Sequence, residues 1–227
     1  MDAPAPCTAG GPIVVSLPTD DGVVLQADFF PIGAANAPAV VLLHMIPPQN
    51  TRKNWPQAFI EAVVAKGIAV LNVDRRGAGG STGVAQDAYI GPKGKLDAKA
   101  AVDFLASRPC AIRMDRVAIA GASNGTTTVL DFTVSSQQKP RAIVFMTGGS
   151  YTENQTSVAA NRATLDPISI LFVFSTQERA WSAAFAPGPG PWQFKEYDPG
   201  DHGTRMFAAR PESVADVASF LASSLAN

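Results

Sequence analysis

The sequence predicts an α/β fold: a mostly parallel, eight-stranded sheet with helices on both faces, in one domain spanning 1–227. Three observations carry this. Short β-rich apolar runs alternate with longer helical patterns, the arrangement of strands joined through helices. Several of those runs, such as Ala39–His44, are apolar without alternation, as strands covered on both faces are. The chain opens instead on two runs flanking Asp20-Asp21-Gly22, the signal of an antiparallel hairpin.

Taken in order, Pro12–Leu17 and Val23–Phe30 form the hairpin, and Ala39–His44 is the first buried strand. A helix from about Trp55 to Lys66 ends at Gly67, a natural C-cap, and strand Ile68–Val73 follows. A helix near Leu96–Ser107 has Ala101, Val102 and Leu105 at helical spacing and stops at Pro109. Strand Arg116–Ala120, helix Asn124–Ser135, strands Arg141–Met146 and Ile168–Phe174, and strand Gln193–Tyr197 come next. An amphipathic helix from about Glu212 to Leu225 closes the chain. The twenty or so residues between Met146 and Ile168 leave little room for a cap domain.

Composition narrows the function classes. A net charge of −1 with 16% charged residues offers no basic footprint for nucleic acid. The longest apolar runs are too short to span a bilayer. Cys7 and Cys110 permit one disulfide and exclude a multi-cysteine zinc site. A bridge and two separate thiols are evenly weighted. Both cysteines precede strands entering the sheet from one edge, and the Ala/Pro-rich start leans towards an exported chain, periplasmic or secreted; the cytoplasm stays open.

The chemistry-bearing residues cluster in two places. Gly121-Ala122-Ser123-Asn124-Gly125 lies between a predicted strand and a predicted helix, the context in which a tight turn exposes a serine hydroxyl above a sheet. Such a serine needs a general base, and the chain has two histidines. His202, in Asp198-Pro199-Gly200-Asp201-His202-Gly203, follows the last strand and can reach Ser123; His44 ends a buried strand and reads as structural. The acid belongs between Ser123 and His202. Glu178, a few residues past the seventh strand, leads, and Glu153 past the sixth is the alternative. Asp166 precedes its strand and sits at the wrong edge, while Asp201 adjoins His202 and its side chain diverges.

With those residues in place, the chain resembles the α/β-hydrolase superfamily, most closely its lidless, dienelactone-hydrolase-like serine carboxylesterases. The resemblance covers nearly the whole length. It includes Val40-Val41-Leu42-Leu43-His44, the turn Asp74-Arg75-Arg76-Gly77-Ala78-Gly79-Gly80-Ser81, the serine elbow and Asp201-His202-Gly203. It implies hydrolysis of small carboxylic esters, short-chain or exposed, through an acyl-enzyme on Ser123, with no metal or organic cofactor. Peptidase or thioesterase activity on the same triad, or a silent binding protein, are the rival readings.

Three departures stand out. The family's glycine after His44 is replaced by Met45-Ile46-Pro47-Pro48, so the oxyanion donors expected by position are the N–H groups of Ile46 (Met45 as alternative) and Asn124. Glutamate, Glu178, stands for the usual aspartate. Serine stands where dienelactone hydrolases proper carry cysteine, which favours ordinary esters. Trp181 and Trp192 flank the Glu178 and His202 loops and are candidates for lining the pocket, with core packing favoured for at least one of them.

Overall fold

The computed structural model describes residues 11–90, 93–108, 111–153 and 155–226. Cys7 and Cys110, which the sequence allows to form a bridge or to stand as separate thiols, lie outside the described residues. Eight strands form a sheet: β1 (Ile13–Pro18), β2 (Val24–Phe30), β3 (Ala37–Leu43), β4 (Ala69–Val73), β5 (Ile112–Ala122), β6 (Ala142–Met146), β7 (Ser169–Ser175) and β8 (Trp192–Tyr197). Their spatial order is β1-β2-β4-β3-β5-β6-β7-β8. The hairpin pairs antiparallel, β2 runs antiparallel to β4, and β3 to β8 are all parallel.

Period-two alternation divides the strand residues between two apolar layers. Val41, Leu43, Ile119, Ile143, Phe145 and Phe172 share one, with residues of α2 (Gly94–Ala106) and α3 (Asn124–Ser135). Val40, Leu42, Ala118, Ala120, Val144 and Val173 share the other, with α1 (Gln57–Ala65) and α7 (Glu212–Ser224). Each buried Leu, Ile, Val or Phe contributes roughly 1.5–3 kcal/mol, so the sheet's centre is the stable frame on which the loops are mounted. That is why β3, β6, β7 and the latter half of β5 read as nearly continuous apolar runs: both of their faces are covered.

Three short helices are too brief to show a helical period: α4 (Arg162–Leu165), α5 (Arg179–Ala183) and α6 (Met206–Ala209). Of the expected boundaries that move, two have a visible cause. β5 begins at Ile112 rather than Arg116, because its first turn of strand alternates exposed residues, with Arg113 and Asp115 paired at 2.8 Å outside the core. α2 begins at Gly94, two residues before Leu96. A Cβ there would sit 2.7 Å from the Ala88 carbonyl oxygen, so glycine permits a close approach and is no break.

Among the described residues no large cap covers the sheet. The described part of 147–168 forms turns, a short 3₁₀ segment at Ala159–Asn161 and α4. Among the described residues no helix is long and apolar enough to cross a membrane.

Candidate active site

Parallel strands deliver their following loops to one edge of the sheet, and the functional side chains collect there. β5 ends at Ala122 and α3 begins at Asn124, so Ser123 alone makes the turn, with φ 50° and ψ −126°. A non-glycine residue there is strained by roughly 1–3 kcal/mol. Its own backbone holds it: the Ser123 N–H donates to Met146 O at 2.8 Å, and its carbonyl accepts from Thr126 N–H and Oγ1 at 2.8 and 2.7 Å. Gly125 lets the helix start press on the end of β3. A Cβ there would stand 2.6 Å from the carbonyl oxygens of both Leu43 and His44.

β7 ends at Ser175, and the 3₁₀ turn Thr176–Glu178 brings Glu178 back over the edge. His202 follows β8, where its N–H donates to Asp201 Oδ1 at 2.6 Å and the next N–H, of Gly203, donates to Thr147 Oγ1 at 2.9 Å. These anchors bring three side chains together. His202 Nε2 lies 2.6 Å from Ser123 Oγ, and Nδ1 lies 2.6 Å from Glu178 Oε1. With the proton assigned to Nδ1, which must donate to a carboxylate, Nε2 is free to accept from the hydroxyl. Ser175 Oγ donates to the second Glu178 oxygen at 3.4 Å.

The other candidates stand elsewhere. Glu153 is exposed and makes no hydrogen bond with His202. Asp166 pairs with Arg162 at 2.5 Å, ahead of β7. Asp201 accepts from the backbone of His202 and pairs with Arg205 at 3.0 Å.

The tryptophans need correction. Trp192 opens β8 beside Ile170, at the edge of the sheet opposite Glu178, and is buried on Phe172. Trp181 packs on Phe145, Phe172 and Phe185 beneath Gly148, as part of the same aromatic cluster. The aromatic that does reach the site is Tyr151, which the sequence reading passed over. Its ring meets the His202 ring edge-on at 6.1 Å, and its hydroxyl donates to Thr147 O at 2.9 Å. Burial, then the negative charge of Glu178, push its phenol up to about 12, so it is a neutral donor throughout the working range. Nothing in the Gly149-Ser150-Tyr151 turn marked it beyond the residue type.

The loop after β3 borders both halves of this cluster. The Met45 side chain packs against Gly203, and a Cβ on that glycine would lie 2.6 Å from Met45 Sδ. His44 is fully buried; its Nε2 accepts from Arg75 N–H at 2.9 Å, and Nδ1 donates to Met45 O at 2.8 Å. Burial, and then repulsion by the Arg75 charge, hold its pKa down to about 3. His44 is therefore a neutral strut. The N–H groups of Ile46 and Asn124 have no acceptor among the described residues. Ile46 is also exposed at the surface. No group of three or more His, Cys, Asp or Glu side chains that could hold a metal occurs among the described residues.

A parallel sheet led in by an antiparallel hairpin, with a strained serine after β5 and a histidine after β8, defines an α/β-hydrolase. The sequence profile of the X-Pro dipeptidyl-peptidase (S15) family matches residues 21–187, and the chain belongs to that family. No curated protein sequence matches the chain. Among solved structures it is similar to the Pyrococcus furiosus esterase Pf2001, with TM-score 0.74 and 17% identity over 100% of this chain and 95% of that one. It is similar also to the thermostable carboxylesterase EstE1 from a metagenomic library (TM-score 0.71, 17% identity, 96% and 90% covered). Dienelactone hydrolase from Anabaena variabilis matches with TM-score 0.66 and 16% identity, covering 93% and 95%. The protein is a hydrolase of the α/β fold.

Proposed function

We propose that this hydrolase cleaves carboxylic esters, short-chain or exposed ones, through an acyl-enzyme on Ser123. The observation that carries the reading is the unbroken relay Ser123–His202–Glu178, both links at 2.6 Å. In this mechanism His202 Nε2 takes the Ser123 proton as Oγ attacks the ester carbonyl. Glu178 holds the imidazole in its Nδ1–H form and stabilises the cation that forms. The alkoxide leaving group takes the proton back from Nε2, and water, activated the same way, releases the acid. The Ile46 and Asn124 N–H groups receive the oxyanion in both steps. Every group needed is supplied by the chain itself.

A second reading, cleavage of peptides after an X-Pro dipeptide, is favoured by the family match. One set of assays separates the two. Wild type and Ser123→Ala are incubated with a fluorophosphonate, with p-nitrophenyl acetate and with an X-Pro anilide. The ester reading expects labelling at Ser123, ester turnover well above anilide turnover, and loss of both labelling and turnover in a folded Ser123→Ala. Turnover that persists in that variant sinks the nucleophile assignment, and preferred anilide cleavage moves the protein to the peptidase reading.

A further inference from the structure

Two adjacent arginines follow β4, and they are treated very differently. Arg76 is paired with carboxylates, Asp97 at 2.8 Å and Asp21 at 2.7 Å. Arg75 is fully buried and touches no carboxylate among the described residues. Its Nη1 donates to Asn124 Oδ1 at 2.8 Å and to the carbonyl oxygens of His44 and Met45, both at 3.3 Å. Its Nη2 donates to Ala88 O at 2.9 Å and Thr128 Oγ1 at 2.8 Å. A buried guanidinium with only neutral acceptors, its Nε without a partner among the described residues, is expensive, and an apolar side chain of similar volume is often no less stable in such a place. What the charge holds is therefore informative.

It holds the two segments from which the candidate oxyanion donors arise. In a trans peptide the C=O and the following N–H point in opposite directions. The Met45 carbonyl is pinned from the buried side by Arg75 Nη1 and by His44 Nδ1, so the Ile46 N–H is turned the other way. Asn124 is fixed at both ends of its amide, by Arg75 on Oδ1 and by Thr152 Oγ1 on Nδ2 at 3.0 Å. Its own N–H stands at the free first turn of α3, where orphan donors point at an anion.

We propose that Arg75 is the positioning residue of the oxyanion hole, one guanidinium clamping the Met45–Ile46 peptide and Asn124 so that their free N–H groups face the same carbonyl oxygen. This rests on the serine-hydrolase reading above. It also accounts for the loop after His44, where Met45-Ile46-Pro47-Pro48 replaces glycine: the peptide is oriented by a clamp from behind.

The test compares an ester with its thionoester, whose sulfur is a poor hydrogen-bond acceptor, so that their rate ratio reads the oxyanion hole. Wild type should strongly prefer the oxygen ester. Arg75→Lys, which keeps the charge but cannot bridge both segments, should lower kcat for the oxygen ester at least about tenfold with little change in KM. The thionoester rate should hardly move, so the ratio collapses. An equal loss on both substrates marks a merely structural residue and overturns the proposal, as does an unchanged ratio. If Arg75→Lys does not fold, Asn124→Ala keeps the backbone donor but cuts the clamp; it should show the same collapse, and a preserved ratio in that folded variant refutes the idea. Wild-type protein that neither labels with fluorophosphonate nor turns over ester removes the serine-hydrolase reading, and this proposal with it. An active wild type whose variants keep the ratio removes the proposal alone.

Discussion

Replacing Glu178 by glutamine removes one charge from the site and leaves the shape nearly intact. The amide oxygen can still accept from His202 Nδ1, so in the proposed mechanism the principal loss is the stabilisation of the imidazolium that forms as Ser123 attacks. Two unit charges about 4 Å apart attract by about 1 kcal/mol in bulk water and about 4 kcal/mol at an effective dielectric of 20. The Glu178 side chain is 36% exposed and that of His202 24%, so the value belongs between these limits. About 3 kcal/mol corresponds to a roughly hundredfold loss in kcat. An amide turned the wrong way would favour the unproductive tautomer and add to the loss, towards the ~10⁴ seen for the amide replacement in a serine protease. Glu153→Gln should stay within about twofold of wild type, because that side chain is exposed and outside the relay. Initial rates on p-nitrophenyl butyrate, with circular dichroism on the same preparations, decide the matter. A crippled Glu153→Gln beside an active Glu178→Gln would refute the assignment of the acid.

Gly125→Ala gains helix propensity but drives a methyl to 2.6 Å from two backbone oxygens; it should cost about 1–3 kcal/mol, read as a fall in Tm of several degrees, and an unshifted Tm contradicts the close-approach argument. His44 ties stability to pH. Its folded pKa of about 3 lies below the usual 6.5, so the unfolded chain binds the extra proton between those values and stability falls as pH drops through that window. Urea denaturation at pH 7 and pH 4.5 should show wild type losing about 2–3 kcal/mol more than His44→Gln, whose amide does not titrate; parallel losses would show that His44 is not the group responsible. With no large cap over the sheet among the described residues, acetate and butyrate esters should be turned over faster than palmitate esters of the same alcohol, and a palmitate preference would count against the short-chain reading.

The strand order of elements could be read from the sequence because buried parallel strands leave long apolar runs, and because Gly67 punctuates the chain where a helix ends with φ 74°. Ser123 was visible through its two glycines, whose necessity the packing against Gly125 O, Leu43 O and His44 O makes plain. His202 and Glu178 were legible by position, since residues just past the ends of parallel strands share one edge. Trp192 was misplaced for the same kind of reason. It lies close in sequence to His202, but a whole strand separates them, and that strand carries it to the far edge. Arg75 and Tyr151 escaped because neither residue type nor spacing distinguishes them; only the fold shows that one guanidinium reaches three segments and one phenol meets the His202 ring. The short helices α4, α5 and α6 span four or five residues, too few for a periodic signal.

β8 is the outermost strand, paired on one side with β7 alone, and His202 is carried on the connection that leaves it. Sheet margins open more readily than sheet centres. A molecule whose margin has parted from β7 keeps its elbow, its hydrophobic layers and most of its secondary structure, yet loses the contact of His202 with Ser123 on which the proposed mechanism depends. The expected ceiling on working temperature is then the opening of the β7–β8 seam, ahead of melting of the interior. The seam includes the parallel stack of Phe172 on Phe194, with ring centroids 4.8 Å apart and planes 4° apart. Strengthening that contact should extend the heat range of the activity with the contacts among Ser123, His202 and Glu178 left as they are.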